Sequence, residues 1–247
     1  MISTLTTLTL RQLLGRGRVI LLALMCCLPV LMAIVFAAVD PDDINPLRWT
    51  ARALESTMVI ALLLPMTALI FGTAAFGNEA EDGTAVYILS KPIPRWQIYA
   101  AKFLATWGAT VAFVAVTVAI SGFIAAGGEP QGARLIGAFA VAAIAAAAGY
   151  SAVFVTLGIL TSRAFIIGLA YVFIWENLIT RLFTGTRVLS IRQYALAIAE
   201  GAANVSTNVL DARLAPATGW VLVIIVTAGA AYMGVRRLRA YQLGEAG

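Results

Sequence analysis

Histidine is absent from the sequence. That excludes bis-histidine haem ligation, histidine-based zinc sites and any Ser-His or Cys-His catalytic couple, and with them most enzymes that work inside a membrane. Cysteine is nearly absent: Cys26 and Cys27 are the only two, and as chain neighbours they neither bridge each other comfortably nor build a disulfide framework. Charge is scarce as well. Only 12% of residues are charged, about half of what a soluble domain carries. No G-x-x-x-x-G-K-[ST] phosphate loop occurs, so the chain does not hydrolyse ATP by itself.

What is present is apolar. Hydrophobic residues make up 61% of the 247, the mean hydropathy is +0.92, and several runs reach the roughly 20 residues that a helix needs to cross about 30 Å of hydrocarbon. The fold class expected is an all-α integral membrane protein, a single permease domain over 1–247 with six spans near 19–39, 58–76, 103–126, 135–160, 165–183 and 217–235. The first run follows Arg11, Arg16 and Arg18, as a signal peptide would. It is too long for a secretory h-region of about 7 to 15 residues and ends at Asp40-Pro41-Asp42-Asp43 without a small-residue cleavage signal, so it reads as a retained span. Six spans place both termini on one side. Assigning that side to the cytoplasm puts 10 of the 17 basic residues inside and 7 outside, a modest bias that sharpens in the short flanks that set orientation.

Several local patterns add detail. Leu5, Leu8, Leu10, Leu13 and Leu14 form a partly apolar stripe over Ile2 to Arg18, which predicts an interfacial helix with its arginines at anionic headgroups. The fourth span carries the run Gly137 to Gly149, GAFAVAAIAAAAG, followed by Gly158; small faces of this kind let helices approach closely in lipid, within the bundle or at a dimer interface. Pro65 lies inside the second span and predicts a kink. Glu176 falls roughly 18 Å by helical rise beyond Arg163, in the outer half of the bilayer. An ionisable group there points into the bundle, either lining a pathway or pairing with Arg181 or Arg134. The 184–216 segment is too long for a structureless connection, and Val188, Ile191, Tyr194, Ala195 and Ile198 recur in it at helical spacing, predicting a short re-entrant or interfacial helix. Asn204-Val205-Ser206 has the form of a glycosylation acceptor and is read as chance.

The polar stretch between the second and third spans holds the densest information. Glu79, Glu81 and Asp82 precede Gly83-Thr84; Ala85 to Leu89 suits a short helix, and Ser90-Lys91-Pro92-Ile93-Pro94-Arg95 stops it by proline chemistry. The order E-x-E-D-G-T-x-x-x-I-L-S-x-P-I-x-R, then A-x-K ending at Lys102, resembles the signature cytoplasmic loop of type-2 ABC exporter permeases. In that family the loop is the coupling helix, which docks into a groove of the cytosolic ATPase subunit. The resemblance implies this role for Glu79, Glu81, Asp82, Gly83, Thr84, Leu89, Ser90, Pro92 and Arg95. Tyr171-Val-Phe-Ile-Trp-Glu-Asn-Leu178 and Leu189-Ser-Ile-Arg-Gln-Tyr194 look like the fifth span and following outer segment of a bacterial subgroup.

The resemblance implies a multi-pass, non-catalytic subunit of the bacterial plasma membrane with both termini cytoplasmic. Two ATPase subunits would hold the ATP and Mg, and a second permease copy, the same or similar, would complete the pathway; the chain binds no cofactor or metal of its own and no nucleic acid. The alternative is a stand-alone secondary transporter, or a membrane anchor or assembly protein, working without an ATPase. A proton-coupled carrier would need midplane acids or repeated halves, and only Glu176 offers itself at this level. No pattern in the chain encodes the cargo.

Overall fold

The computed structural model describes residues 2–39, 43–81, 93–182, 184–204, 210 and 214–240; the side chains of 2, 78–81, 181 and 184 are not among those described. Among these residues every regular element is helical. Helix α1 covers Ile2–Leu13 and α2 covers Arg16–Val39. Helix α3 is a continuous run over 46–81, α4 is Arg95–Ala126, α5 is Gly132–Leu160, and α6 runs over 164–182. A 3-10 turn over Thr184–Leu189 leads to α7, Ile191–Ala203, and α8 is Pro216–Ala240.

Among the described residues, five helical stretches are long and apolar enough to cross a membrane: Arg16–Val39, Pro46–Gly77, Arg95–Ala126, Gly132–Leu160 and Pro216–Ala240. The expected fifth span lies in α6, where the apolar part, Ala164–Ile179, is shorter than the other five. The helices also overshoot the apolar runs. The second begins at Pro46 rather than Met58, and the third at Arg95 rather than Phe103, and both extra stretches pack into the bundle, with Leu47, Ala51 and Leu54 buried on the one and Ile98, Tyr99 and Lys102 on the other.

Asn45 starts α3 by accepting the Arg48 N–H at 3.0 Å, with Pro46 at the first helical position, where its missing donor costs nothing. From Thr50–Leu63 the helix widens into π geometry, seen in the 2.8 Å bond from the Thr57 hydroxyl to the Arg52 carbonyl and in the Leu64 N–H bonded to the Val59 carbonyl, each five residues back. It returns to α geometry over Leu64–Glu81, so Pro65 stands at the junction. The expected irregularity at Pro65 is therefore a change of winding, and the wide turns open the ladder where a donor is missing. Thr67, Thr73, Thr117, Ser121 and Thr227 each bond a carbonyl four residues back at 2.7–2.8 Å, which satisfies their hydroxyls without water.

Helix α5 is the hub, packing on α3, α4, α6, α7 and α8. Its small residues make this possible. Gly158 lies against the Thr73 backbone and Gly149 against Ile191, while Ala142, Ala146 and Ala147 are fully buried. At the α3–α5 crossing a Cβ on Gly72 would stand 2.7 Å from the Phe154 Cβ and 3.2 Å from its carbonyl carbon, with no flexible side chain to give way. Gly72→Ala is expected to cost about 1–3 kcal/mol, read as a lower melting temperature of the detergent-solubilised protein. An unchanged melting temperature would mean the crossing has slack.

Helix α1 lies along α4 with Thr9 and Leu13 buried, and Leu13 shares a cluster with Leu22, Phe71, Tyr99, Val155 and Leu238. Helix α7, predicted from its periodic apolar residues, is embedded against α5 and α8 along nearly its whole length. It ends at Asn204 in the left-handed region (φ 46, ψ 38), a conformation asparagine tolerates better than most residues.

Candidate functional site

Three arrangements stand out, the first at the stems of the polar loop. Of the residues assigned to coupling, Asp82, Gly83, Thr84, Leu89, Ser90 and Pro92 lie outside the described residues. Glu79 and Glu81 fall in the last turns of α3, and their side chains are likewise outside the description. Arg95 is the first residue of α4, following Pro94, and is buried. About two turns further on, Lys102 is buried too: its ammonium donates to the Ala75 carbonyl near the end of α3 and sits 4.6 Å from the centre of the Phe76 ring. A cation there meets both a backbone acceptor and an aromatic face.

The same stem is tied into the bundle. Tyr99 places its hydroxyl 3.1 Å from the Ala152 carbonyl and 3.1 Å from the Thr156 hydroxyl, while Thr156 donates to the Ala230 carbonyl at 2.8 Å. Gly234 leaves the space, since a Cβ there would collide with the Tyr99 ring. Thus α3, α4, α5 and α8 are joined through Lys102, Tyr99 and Thr156 directly above the loop's two ends. The loop motif marks Lys102 in sequence; Tyr99 and Thr156 carry no local signal, because 57 residues separate them.

The second arrangement surrounds Glu176. It lies in a second π stretch, Tyr171–Ile179, and is 1% exposed. One carboxylate oxygen accepts the Tyr171 hydroxyl at 3.0 Å and the Ile191 N–H at 3.0 Å; the other accepts the Ser190 hydroxyl. Ser190 is itself the N-cap of α7, accepting the Gln193 N–H at 3.3 Å. Glu176 therefore closes the N-terminus of α7 from a neighbouring helix, where exposed amide hydrogens and the helix dipole favour negative charge. Of the two arginines that the sequence offers as its partners, Arg134 is exposed on α5, and the Arg181 side chain lies outside the described residues. Nearby bonds fasten the same junction: Trp175 Nε1 to the Leu189 carbonyl at 3.4 Å, and Arg187 Nε to the Thr180 carbonyl at 3.3 Å.

The third has no signal in the sequence pattern. Glu55, in the first π stretch, is fully buried, and its one hydrogen-bonding partner among the described residues is the Ser121 hydroxyl of α4 at 3.3 Å. Its second oxygen has none. Gly122 makes the room: a Cβ there would lie 3.3 Å from the Glu55 carboxyl and 2.8 Å from Ile136. Both buried acids thus sit on π-wound turns, a geometry that collects at functional positions.

In a comparison with protein families, residues 20–179 of the 247 match the one described as ABC-2 family transporter protein. No curated protein matches the chain.

Proposed function

Because the chain belongs to the ABC-2 family of transporter proteins and so is a transmembrane permease of an ABC transporter, we propose that it serves an ATP-driven exporter and takes its power stroke through the loop between α3 and α4. On this reading α6 is a sixth span, both termini face the cytoplasm of a bacterial plasma membrane, and α1 rests at the inner interface. A second permease copy encloses the pathway with it. Two cytosolic ATPase subunits carry the ATP and Mg, and the permease performs no catalysis.

The observation that supports coupling at this place is the Lys102 clamp. Glu79, Glu81, Asp82, Gly83, Thr84, Leu89, Ser90, Pro92 and Arg95 occupy the segment between two helix ends that Lys102 holds together, so a push on that segment reaches α3 and α4 as a unit. Tyr99 and Thr156 then pass the displacement to α5 and α8 through buried hydrogen bonds that have few alternatives in an apolar interior. Apolar residues such as Ile88 and Leu89 supply the docking contact, and the acids and Arg95 supply charge-assisted register.

Affinity purification of the tagged chain in mild detergent tests this. An ATPase subunit should co-purify in stoichiometric amount, hydrolyse ATP, and be lost when 79–95 is replaced by a Gly/Ser segment of equal length. Recovery of the chain alone would move the reading to a stand-alone transporter, for which the buried acids Glu55 and Glu176 are the supporting observation, or to a membrane anchor; an ATPase retained without that segment would mean that it docks elsewhere on the chain.

A further inference from the structure

We propose that Glu55 is a proton-binding site in the membrane interior, held as the neutral acid with its proton donated to the Ser121 hydroxyl oxygen. The supply of hydrogens decides the state. Ser121 has one hydroxyl hydrogen and two acceptors within reach: the Thr117 carbonyl at 2.7 Å and the Glu55 carboxyl at 3.3 Å. The nearer carbonyl takes that hydrogen, as the other buried hydroxyls of these helices do with their own carbonyls four residues back. An ionised Glu55 would then face only lone pairs. A protonated Glu55 has a hydrogen to give, and the free lone pairs of Ser121 accept it.

The second oxygen leads to the same state. With no hydrogen-bond donor among the described residues and no exposure at all, it is tolerable as the carbonyl oxygen of a neutral acid and prohibitive as half of a carboxylate. Glu176 is the internal contrast, because its two oxygens receive three donors.

The ionisable groups on the surrounding elements leave this balance in place. Arg48 and Arg52 at the start of α3 and Arg134 on α5 are exposed. On α4, Arg95, Tyr99 and Lys102 lie at the far end, with Lys102 roughly 28 Å along the axis from Ser121. On α7, the Tyr194 hydroxyl donates to the Val188 carbonyl and Glu200 is partly exposed; Arg192 acts on Tyr150 of α5, which in turn neighbours Glu176. The Cys26 thiol of α2 has Thr117 as its hydrogen-bonding neighbour, and Cys27 is exposed.

Infrared difference spectroscopy of the purified full chain, wild type minus Glu55→Gln, tests the state directly. Removing one carboxyl group must remove either the stretch of a protonated carboxyl or the paired stretches of a carboxylate. The expected difference is the protonated band, shifted on exchange into deuterium oxide; a loss of carboxylate bands would overturn the proposal. Stability supplies the second reading: the glutamine amide gives one N–H to Ser121 as a neutral acid gives its O–H, while its second N–H has no acceptor among the described residues. Glu55→Gln should therefore fold, its melting temperature lowered by no more than that one N–H costs, about 1–3 kcal/mol at about 2–4 °C each, and failure of this variant to fold would overturn the proposal.

Discussion

Glu176→Leu is expected to destabilise the protein by roughly 3–5 kcal/mol, a larger loss than that of Gly72→Ala or Lys102→Met. Leucine occupies much of the same volume, so the loss is one of hydrogen bonding. The Ser190 and Tyr171 hydroxyls can turn toward other acceptors, whereas the Ile191 N–H, fixed by the first turn of α7, cannot. An orphaned amide at a buried helix start loses both its partner and the charge that complements the dipole. At about 2–4 °C per kcal/mol for a chain of this size, the melting temperature should fall on the order of 10 °C. Because α7 hangs from this cap, limited proteolysis should cut first within 184–204. A fall of under about 2 °C would show that α7 is held by its packing on α5 and α8 alone.

Lys102→Met is expected to have the opposite profile, with a small effect on folding and a large one on coupling. Methionine retains the apolar stem and its contact with Phe76, and the variant loses the hydrogen bond to the Ala75 carbonyl and the cation–π contact, about 1–3 kcal/mol for the two. The two loop stems are then free to move independently. Displacement of the loop is absorbed at α3 and α4 instead of reaching α5 and α8. Coupling energies between sites are typically about 1–3 kcal/mol, or roughly 5–150-fold, so cargo-stimulated ATP hydrolysis by the assembled transporter should fall about tenfold or more while insertion and subunit retention persist. Lys102→Arg, which keeps a donor and the charge, should recover part of the activity. Wild-type stimulation in Lys102→Met would remove the clamp from the transmission path.

How much of this was legible in the chain differs from element to element. The long apolar runs announce their helices because nothing else in the sequence competes with them. Helix α7 is legible from Ile191, Tyr194, Ala195 and Ile198, whose spacing survives burial on two sides. Glu55 escaped for a specific reason. Arg48, Arg52 and Glu55 lower the local hydropathy, so the second span reads as starting at Met58, and the acid lands outside it. In the fold those turns are helical from Pro46, the arginines turn outward, and Glu55 alone turns in. Ala51 and Leu54 beside it are buried as well, but π winding shifts the period away from the usual 3.6, so no helical stripe marks them. The Glu176 cap was beyond local pattern for another reason: its partners Ser190 and Ile191 lie at the start of a different helix, and no periodicity links 176 to 191. Pro65 shows a middle case, where the position of the irregularity was plain and its form, a change from π to α winding, was not.

The central position of α5 also bears on how the protein is made. Spans enter the bilayer in order from the amino end, and α2, largely exposed along its sides, can wait in lipid at little cost. Helix α3 cannot: most of its surface is buried, and Gly72, Thr73 and Leu69 meet their partners only when α5 and α6 arrive. A nascent chain halted before Gly132 therefore holds the open face of α3 around Leu69, Gly72 and Thr73 without its partners, an unpacked surface that membrane quality-control proteases can recognise. Synthesis of α5 is the step after which an unfinished chain becomes safe from them.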